Sequence, residues 1–257
     1  MLLVIDVGNT NTTVGVFDGS KLKSHWRLMS ERHTADEVGI YLLNLLRTAD
    51  IDPRSIDGAI MASVVPPLDG AFSEGIDRYL GRTCLKVSTD LDLGIVIGYG
   101  APHEVGADRI VDAVAGVARY GAPLVIADFG TAITLNVIDA KGVYLGGAIA
   151  PGLMTSMEAL FGRTAKLPKI ALEAPSSVIG RTTMESIQAG ILYGNAGLVD
   201  GLVRRIWDAL GRKTTVIATG GLASAVAAHS ETIETVDPWL TLEGLRILYE
   251  RNGVPRS

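Results

Sequence analysis

Two carboxylates in this chain stand where an apolar run gives way to a glycine turn. Asp6 lies in LLVIDVGNTNTTVGVFDG (residues 2–19) and Asp128 in LVIADFGTAITLNVIDAKG (residues 124–142). One apolar residue separates each from a glycine, Gly8 or Gly130. Small hydroxyl and amide residues follow: Asn9, Thr10, Asn11, Thr12 and Thr13 in the first stretch, Thr131 in the second. A charge at the end of a buried strand is costly unless something pairs with it. A carboxylate there can hold a hydrated cation while the N–H groups of the turn contact phosphate oxygens. A lone Asp-x-Gly turn is as readily structural. Here the two aspartates and the two glycines share one spacing, 122 residues, which marks an internal duplication. A third apolar run ending in Gly220-Gly221 completes the set that two lobes closing on a nucleotide would require.

A further candidate is EVGADRIVDAVAG (residues 104–116), where Gly106, Ala107, Asp108 and Arg109 precede a helical apolar pattern at Ile110, Val111, Val114 and Val117. Asp108 near a helix start is either an N-cap, for which Asp is among the best residues, or a general base that orients a hydroxyl. The fork of donors on Arg109 suits an anionic substrate.

The elements that must position these residues follow from pattern. Both Asp-x-Gly stretches read as β-hairpins. In the first half, strands are expected at His25–Leu28 and Ile60–Val65. A helix is expected over 34–47, where Thr34 and Glu37 have capping-box spacing, and another over 68–80 after Pro66-Pro67. In the second half, residues 142–149 read as a strand and 150–161 as a helix with Pro151 in its first turn. Residues 184–210 have long helical periodicity, 214–221 read as a strand into a glycine turn, and 222–229 as an Ala-rich helix. The Leu240, Leu242, Leu245, Leu248 stripe is helix burial. Strands alternating with helices give an α/β class, two lobes with mixed sheets covered by helices, divided as 1–115 and 116–257.

Composition sets the outer bounds. The chain has 257 residues, 47% hydrophobic and 20% charged, enough for a large core. A net charge of −5 argues against nonspecific nucleic-acid or anionic-membrane binding, both of which need a basic face. The single cysteine, Cys84, excludes an internal disulfide and reads as a small buried residue. His25, His33, His103 and His229 have no spacing for a shared metal. Met154 and Met157, three apart, read as core or subunit contact. No basic leader precedes the first apolar run and no uncharged stretch reaches membrane-spanning length, so a cytoplasmic location is expected.

The combination DVGNT (6–10), SVVP (63–66), GADR (106–109), DFGTAIT (128–134), GGAIAPG (146–152), SIQAG (186–190) and ATGG (218–221) resembles the type III pantothenate kinases, and DPWLTLEGLRILYERN (237–252) is similar to that family's ending. The likeness runs in order through essentially the whole chain. It implies the acetate and sugar kinase/Hsc70/actin superfamily, two ribonuclease-H-like lobes gripping ATP. The implied activity is phosphorylation of pantothenate to 4'-phosphopantothenate, the first step of coenzyme A biosynthesis.

The resemblance also implies roles. Asp6, Val7, Gly8, Asn9, Thr10, Asn11, Thr12 and Thr13 would form a first phosphate loop, with Asp6 bearing on magnesium. Asp128 would help bind potassium or ammonium, Thr131 would contact ATP, and Gly220 and Gly221 would belong to an adenosine loop. Tyr99, Gly106, Ala107, Asp108, Arg109 and Thr183 would border pantothenate, Asp108 accepting the hydroxyl proton and Arg109 facing the carboxylate. A homodimer is implied as well. The chain departs from the family pattern at Arg181 and Thr182, where GRTT (180–183) stands for something close to GKNT. Two rivals remain at this point: a metal-dependent nuclease on a ribonuclease-H-like lobe, and a non-catalytic accessory factor in gene regulation. The acidic balance with paired hairpins counts against the first, and intact Asp6, Asp108, Arg109 and Asp128 against the second.

Overall fold

The computed structural model describes residues 1–163 and 171–253. The chain forms two compact units, one built from residues 1–95, 100–115 and Leu240 onward, the other from Val96–Tyr99 and Gly116–Trp239.

In the first unit, β1 (Leu2–Val7), β2 (Asn11–Asp18) and β3 (Lys21–Met29) form an antiparallel meander. β4 (Gly58–Ser63) runs parallel to β1, and β5 (Cys84–Lys86) parallel to β4, giving the order β3-β2-β1-β4-β5. Alternation divides the sheet's faces. Leu3, Ile5, Val7, Val14, Val16, Ala59 and Met61 pack on Val38, Leu42 and Leu46 of α1 (Ala35–Thr48) and on Leu68, Phe72 and Ile76 of α2 (Pro66–Leu80). The opposite face, around Val4 and Gly15, meets Leu242 of the C-terminal helix Leu240–Asn252. α1 carries the expected capping box: Thr34 Oγ1 accepts from Glu37 N at 3.2 Å, and Thr34 N donates to Glu37 Oε2 at 2.7 Å. Pro66 and Pro67 lie inside α2 rather than before it, because the first helical positions need no N–H donor.

The second unit repeats this topology. β7 (Leu124–Phe129), β8 (Ala132–Ile138) and β9 (Val143–Pro151) are an antiparallel meander, and β10 (Thr215–Thr219) and β11 (Thr235–Val236) continue parallel from β7. A short β6 (Val96–Ile97) adds to β9, so the order is β11-β10-β7-β8-β9-β6. One face packs on Leu153 and Met157 of α4 (Leu153–Arg163), on Ile187, Leu192 and Val199 of α5 (Thr183–Leu210), and on Ala223 and Val226 of α6 (Ala223–Ala227).

Three expectations shift. Ala150 and Pro151 end β9, paired with Ile133 and Ala132, and α4 begins at Leu153; a proline is tolerated at a strand end because it needs no ladder donor. Met157 is core and Met154 is 47% exposed. Grouped by contacts, the C-terminal helix, here α7, joins the first unit instead of the second. It covers the bare face of β1 and β4, and Thr241 Oγ1 donates to the buried Asp112 Oδ1 at 2.7 Å on α3 (Ala107–Tyr120).

Candidate active site

In the first unit the chemistry collects at the C-terminal ends of the parallel strands β1 and β4. Asp6 is the fifth residue of β1, paired with Thr13 on β2 and Ala62 on β4. Since Ile5 and Val7 face the α1/α2 core, Asp6 points to the other face, the one on which α7 lies. The hairpin closes through Gly8 N donating to Asn11 O at 3.1 Å; a Cβ at Gly8 would stand 3.0 Å from that same oxygen, so the turn has little room for a side chain. Asn9, Thr10 and Asn11 are exposed. Val7 is fully buried and offers only its backbone, and the buried Thr12 turns its hydroxyl to Ser30 Oγ at 2.9 Å.

The start of α3 is brought to the same strand ends. Val64, just past β4, donates its N–H to Val7 O at 3.0 Å, and Gly106 lies against Val64. α3 opens with Ile110 N donating to Gly106 O at 3.1 Å, which makes Gly106 the cap and puts Asp108 in the first turn. Asp108 is therefore not the N-cap. Its Oδ1 accepts from Arg109 N at 2.8 Å and lies 2.5 Å from where a Cβ on Gly106 would be. Burial pushes the Asp108 carboxyl above the usual carboxylate range, against the pull of the Arg109 N–H bond and charge. Arg109 is only 9% exposed.

The second unit builds a similar turn around Asp128, one residue shorter. Gly130 N donates to Ala132 O at 3.1 Å, two residues on, where Gly8 N reaches three residues on to Asn11 O. Thr131 is exposed, and its carbonyl accepts from Gly152 N at 3.0 Å and Thr155 Oγ1 at 2.7 Å, tying the turn to the end of β9 and the start of α4. Gly220, at φ 92°, follows β10, and a Cβ there would stand 2.3 Å from Asp128 Oδ1. Gly220 thus adds no side chain of its own against the carboxylate of Asp128. Gly221 is exposed. Tyr99 follows β6, with its ring against Gly146 and edge-on to Tyr144. Thr183 is exposed at the start of α5.

Among the described residues, no group of three or more His, Cys, Asp or Glu side chains could hold a metal ion. Single carboxylates suit a hard cation that keeps several waters and completes its shell on phosphate oxygens, so the donors of Asp6 and Asp128 fit the cations of phosphoryl transfer.

Sequence reading missed three features. Thr182, one of the two departures from the family pattern, is the N-cap of α5: its Oγ1 accepts from Glu185 N at 3.1 Å, and Glu185 Oε2 accepts from Arg181 N at 2.7 Å. The Thr-x-x-Glu spacing was the available signal. Asp200 on α5 clasps residues 230–232, accepting from Ser230 Oγ, Glu231 N, Thr232 N and Thr232 Oγ1 at 2.6–3.0 Å. A buried polar chain of Tyr144, Asn136 and Thr134 also had no local signal.

The two units share one strand order, each opening on an Asp-x-Gly hairpin, in an α/β fold that solved sugar kinases also have. Similar solved folds include a glucomannokinase from an Arthrobacter strain (14% identical, 96% of each chain, TM-score 0.50) and a chain described as a Baf family transcriptional activator from Campylobacter jejuni (18% identical, 96% of this chain and 97% of that one, TM-score 0.58). A model of the type III pantothenate kinase family matches residues 2–205, and the type III pantothenate kinase of Geobacter sulfurreducens is 51% identical over 98% of this chain and 99% of its own. The chain belongs to the type III pantothenate kinase family. It is a kinase that phosphorylates pantothenate with ATP, in the first step of coenzyme A biosynthesis.

Proposed function

We propose that Asp108 is the proton acceptor of this reaction, taking the proton from the primary hydroxyl of pantothenate as that oxygen attacks the γ-phosphorus in line. The observation that supports it best is the environment of Asp108: a carboxylate made more basic by burial, at the first turn of α3, beside the strand ends that carry the first hairpin. Ala107 and Gly106 leave the substrate side of that turn free of bulk, and Arg109 supplies positive charge for the pantothenate carboxylate. Tyr99 and Thr183 contribute to the same substrate. The hairpin of Asp6, Val7, Gly8, Asn9, Thr10, Asn11, Thr12 and Thr13 meets phosphate through its N–H groups and exposed side chains, and Val7 and Thr12 support it from the core. Thr131 contacts ATP, and Gly220 and Gly221 leave room for adenosine.

Asp6 bears on magnesium and Asp128 on a monovalent cation, potassium or ammonium. When bound, the cations offset charge on the phosphate oxygens. The enzyme acts in the cytoplasm as a homodimer, a state that its mass in solution checks. The deciding assay is ATP-dependent phosphorylation of pantothenate by the purified chain beside Asp108→Asn, against a panel of other small alcohols. An unchanged kcat in the variant would remove Asp108 from the role.

A further inference from the structure

β8 and β9 lose register between Val137 and Ile138: Gly146 pairs with Val137 and Tyr144 with Ile138, so Leu145 is an extra residue in β9. Gly147 continues the irregular stretch, where a Cβ would stand 1.6 Å from Leu135 O. The bulge has two results. Tyr144 turns fully inward, the largest wholly buried side chain among the described residues, and the surface over Gly146 is left bare. Tyr99 fills that bare place, its ring atoms 3.0 Å from where a Gly146 Cβ would be and its ring edge-on to Tyr144, with centroids 6.4 Å apart.

A phenol inside a sheet needs a partner for its hydroxyl. Tyr144 donates to Asn136 Oδ1 at 3.1 Å, and Asn136, itself fully buried, turns its Nδ2 toward Thr134 Oγ1 at 3.5 Å. Thr134 stands in register with Asp128 across β7 and β8. The position of the Tyr144 ring is thereby fixed at its far end by a directional bond, and the near end of that ring is one wall against which Tyr99 rests.

We infer that Asn136 and Tyr144 are positioning residues for the acceptor substrate: their buried hydrogen bond holds the ring that sets where Tyr99 meets pantothenate. The inference rests on the reading of Tyr99 as a pantothenate contact. Both side chains are wholly buried, so their effect is on the placement of Tyr99.

The test compares Tyr144→Phe, Asn136→Leu and the double variant with Tyr99→Ala, measuring KM for pantothenate, KM for ATP and Tm. Misplacing a binding group by a fraction of its contact distance costs on the order of tenfold. Each single variant is expected to raise the pantothenate KM by about that factor and to leave the ATP KM in place. The double variant removes both ends of the Tyr144–Asn136 bond, so its Tm falls by less than the sum of the two single losses while its pantothenate KM stays high. A pantothenate KM that follows Tm across the three variants, or an ATP KM that rises equally, overturns the positioning role. Tyr144→Phe removes one oxygen and little volume, and it carries the test alone if Asn136→Leu does not fold. Tyr99→Ala separates the two layers. If it leaves KM unchanged, the reading of Tyr99 falls and this inference with it; if it raises KM and Tyr144→Phe does not, only this inference falls.

Discussion

The carboxylate of Asp108 folds back over Gly106, its Oδ1 2.5 Å from the position a Cβ would take. No side chain at 106 is compatible with that placement. Gly106→Ala should therefore move Asp108 while the core of α3, anchored by Ile110 and Val111, stays folded. The expected result is a kcat lowered about 10²-fold, the usual scale for losing a placed proton acceptor, with circular dichroism unchanged. A variant with wild-type turnover would show that this contact does not set the base.

Asp108 also predicts opposite effects on activity and stability. Burial raises its folded pKa above the usual 3.8, so the ionised form is disfavoured in the native state. Stability associated with this group is complete below the unfolded pKa and is lost as pH rises through the folded one. Asp108→Asn should accordingly melt higher than wild type at pH 7, the difference shrinking as pH falls toward 4, while kcat drops about 10²–10⁴-fold. In the wild type the acidic limb of kcat/KM should lie above the range of an ordinary aspartate. Equal melting of the two proteins at all pH values would contradict the burial argument.

Gly220 and Asp128 predict a cation effect. A methyl group at position 220 would stand 2.3 Å from Asp128 Oδ1, in a backbone conformation at φ 92° that alanine resists. Rates are expected to be higher in potassium or ammonium than in sodium, and both Gly220→Ala and Asp128→Asn should erase that difference. Equal rates of the wild type in all three salts would remove the monovalent-cation role from Asp128.

How much of this was legible beforehand depends on how local the cause is. The duplicated hairpins, the capping box at Thr34 and the helix that carries Ile110, Val111 and Val114 are written in contiguous residues, and the structure bears them out. The identity of the Asp108 turn position was not, because only the bond from Ile110 N to Gly106 O tells a cap from a first-turn residue. The strand identity of Ala150 and Pro151 depends on pairing with β8, and the grouping of α7 with β1 depends on an uncovered sheet face at the other end of the sequence. Neither leaves a mark in local periodicity. The bond between Tyr144 and Asn136 exists because a bulge redirects one side chain, which alternation alone would not reveal.

Asp200 gives a prediction about stability alone. Burial alone would raise its carboxyl, but the bonds from Glu231, Ser230 and Thr232 outweigh it and hold the group below the usual carboxylate range. Its stabilising contribution is present above the unfolded pKa and lost as pH falls through the folded one. Asp200→Asn should cost about 1–3 kcal/mol near neutrality, and its deficit relative to wild type should narrow in acid. Chemical unfolding at pH 7 and at pH 4 measures both. A deficit independent of pH would assign the effect to lost shape instead of charge.

The helix Leu240–Asn252 packs on a sheet whose first strand begins at Leu2. During synthesis the earliest residues leave the ribosome long before the last, so the face around Val4 and Gly15 waits uncovered while the whole second unit is made. That unit can complete its core on the way out, whereas the N-terminal one must wait for Leu240–Asn252. Nascent chains halted before Leu240 would thus present an apolar sheet face, a natural target for a chaperone and the place where misassembly would begin.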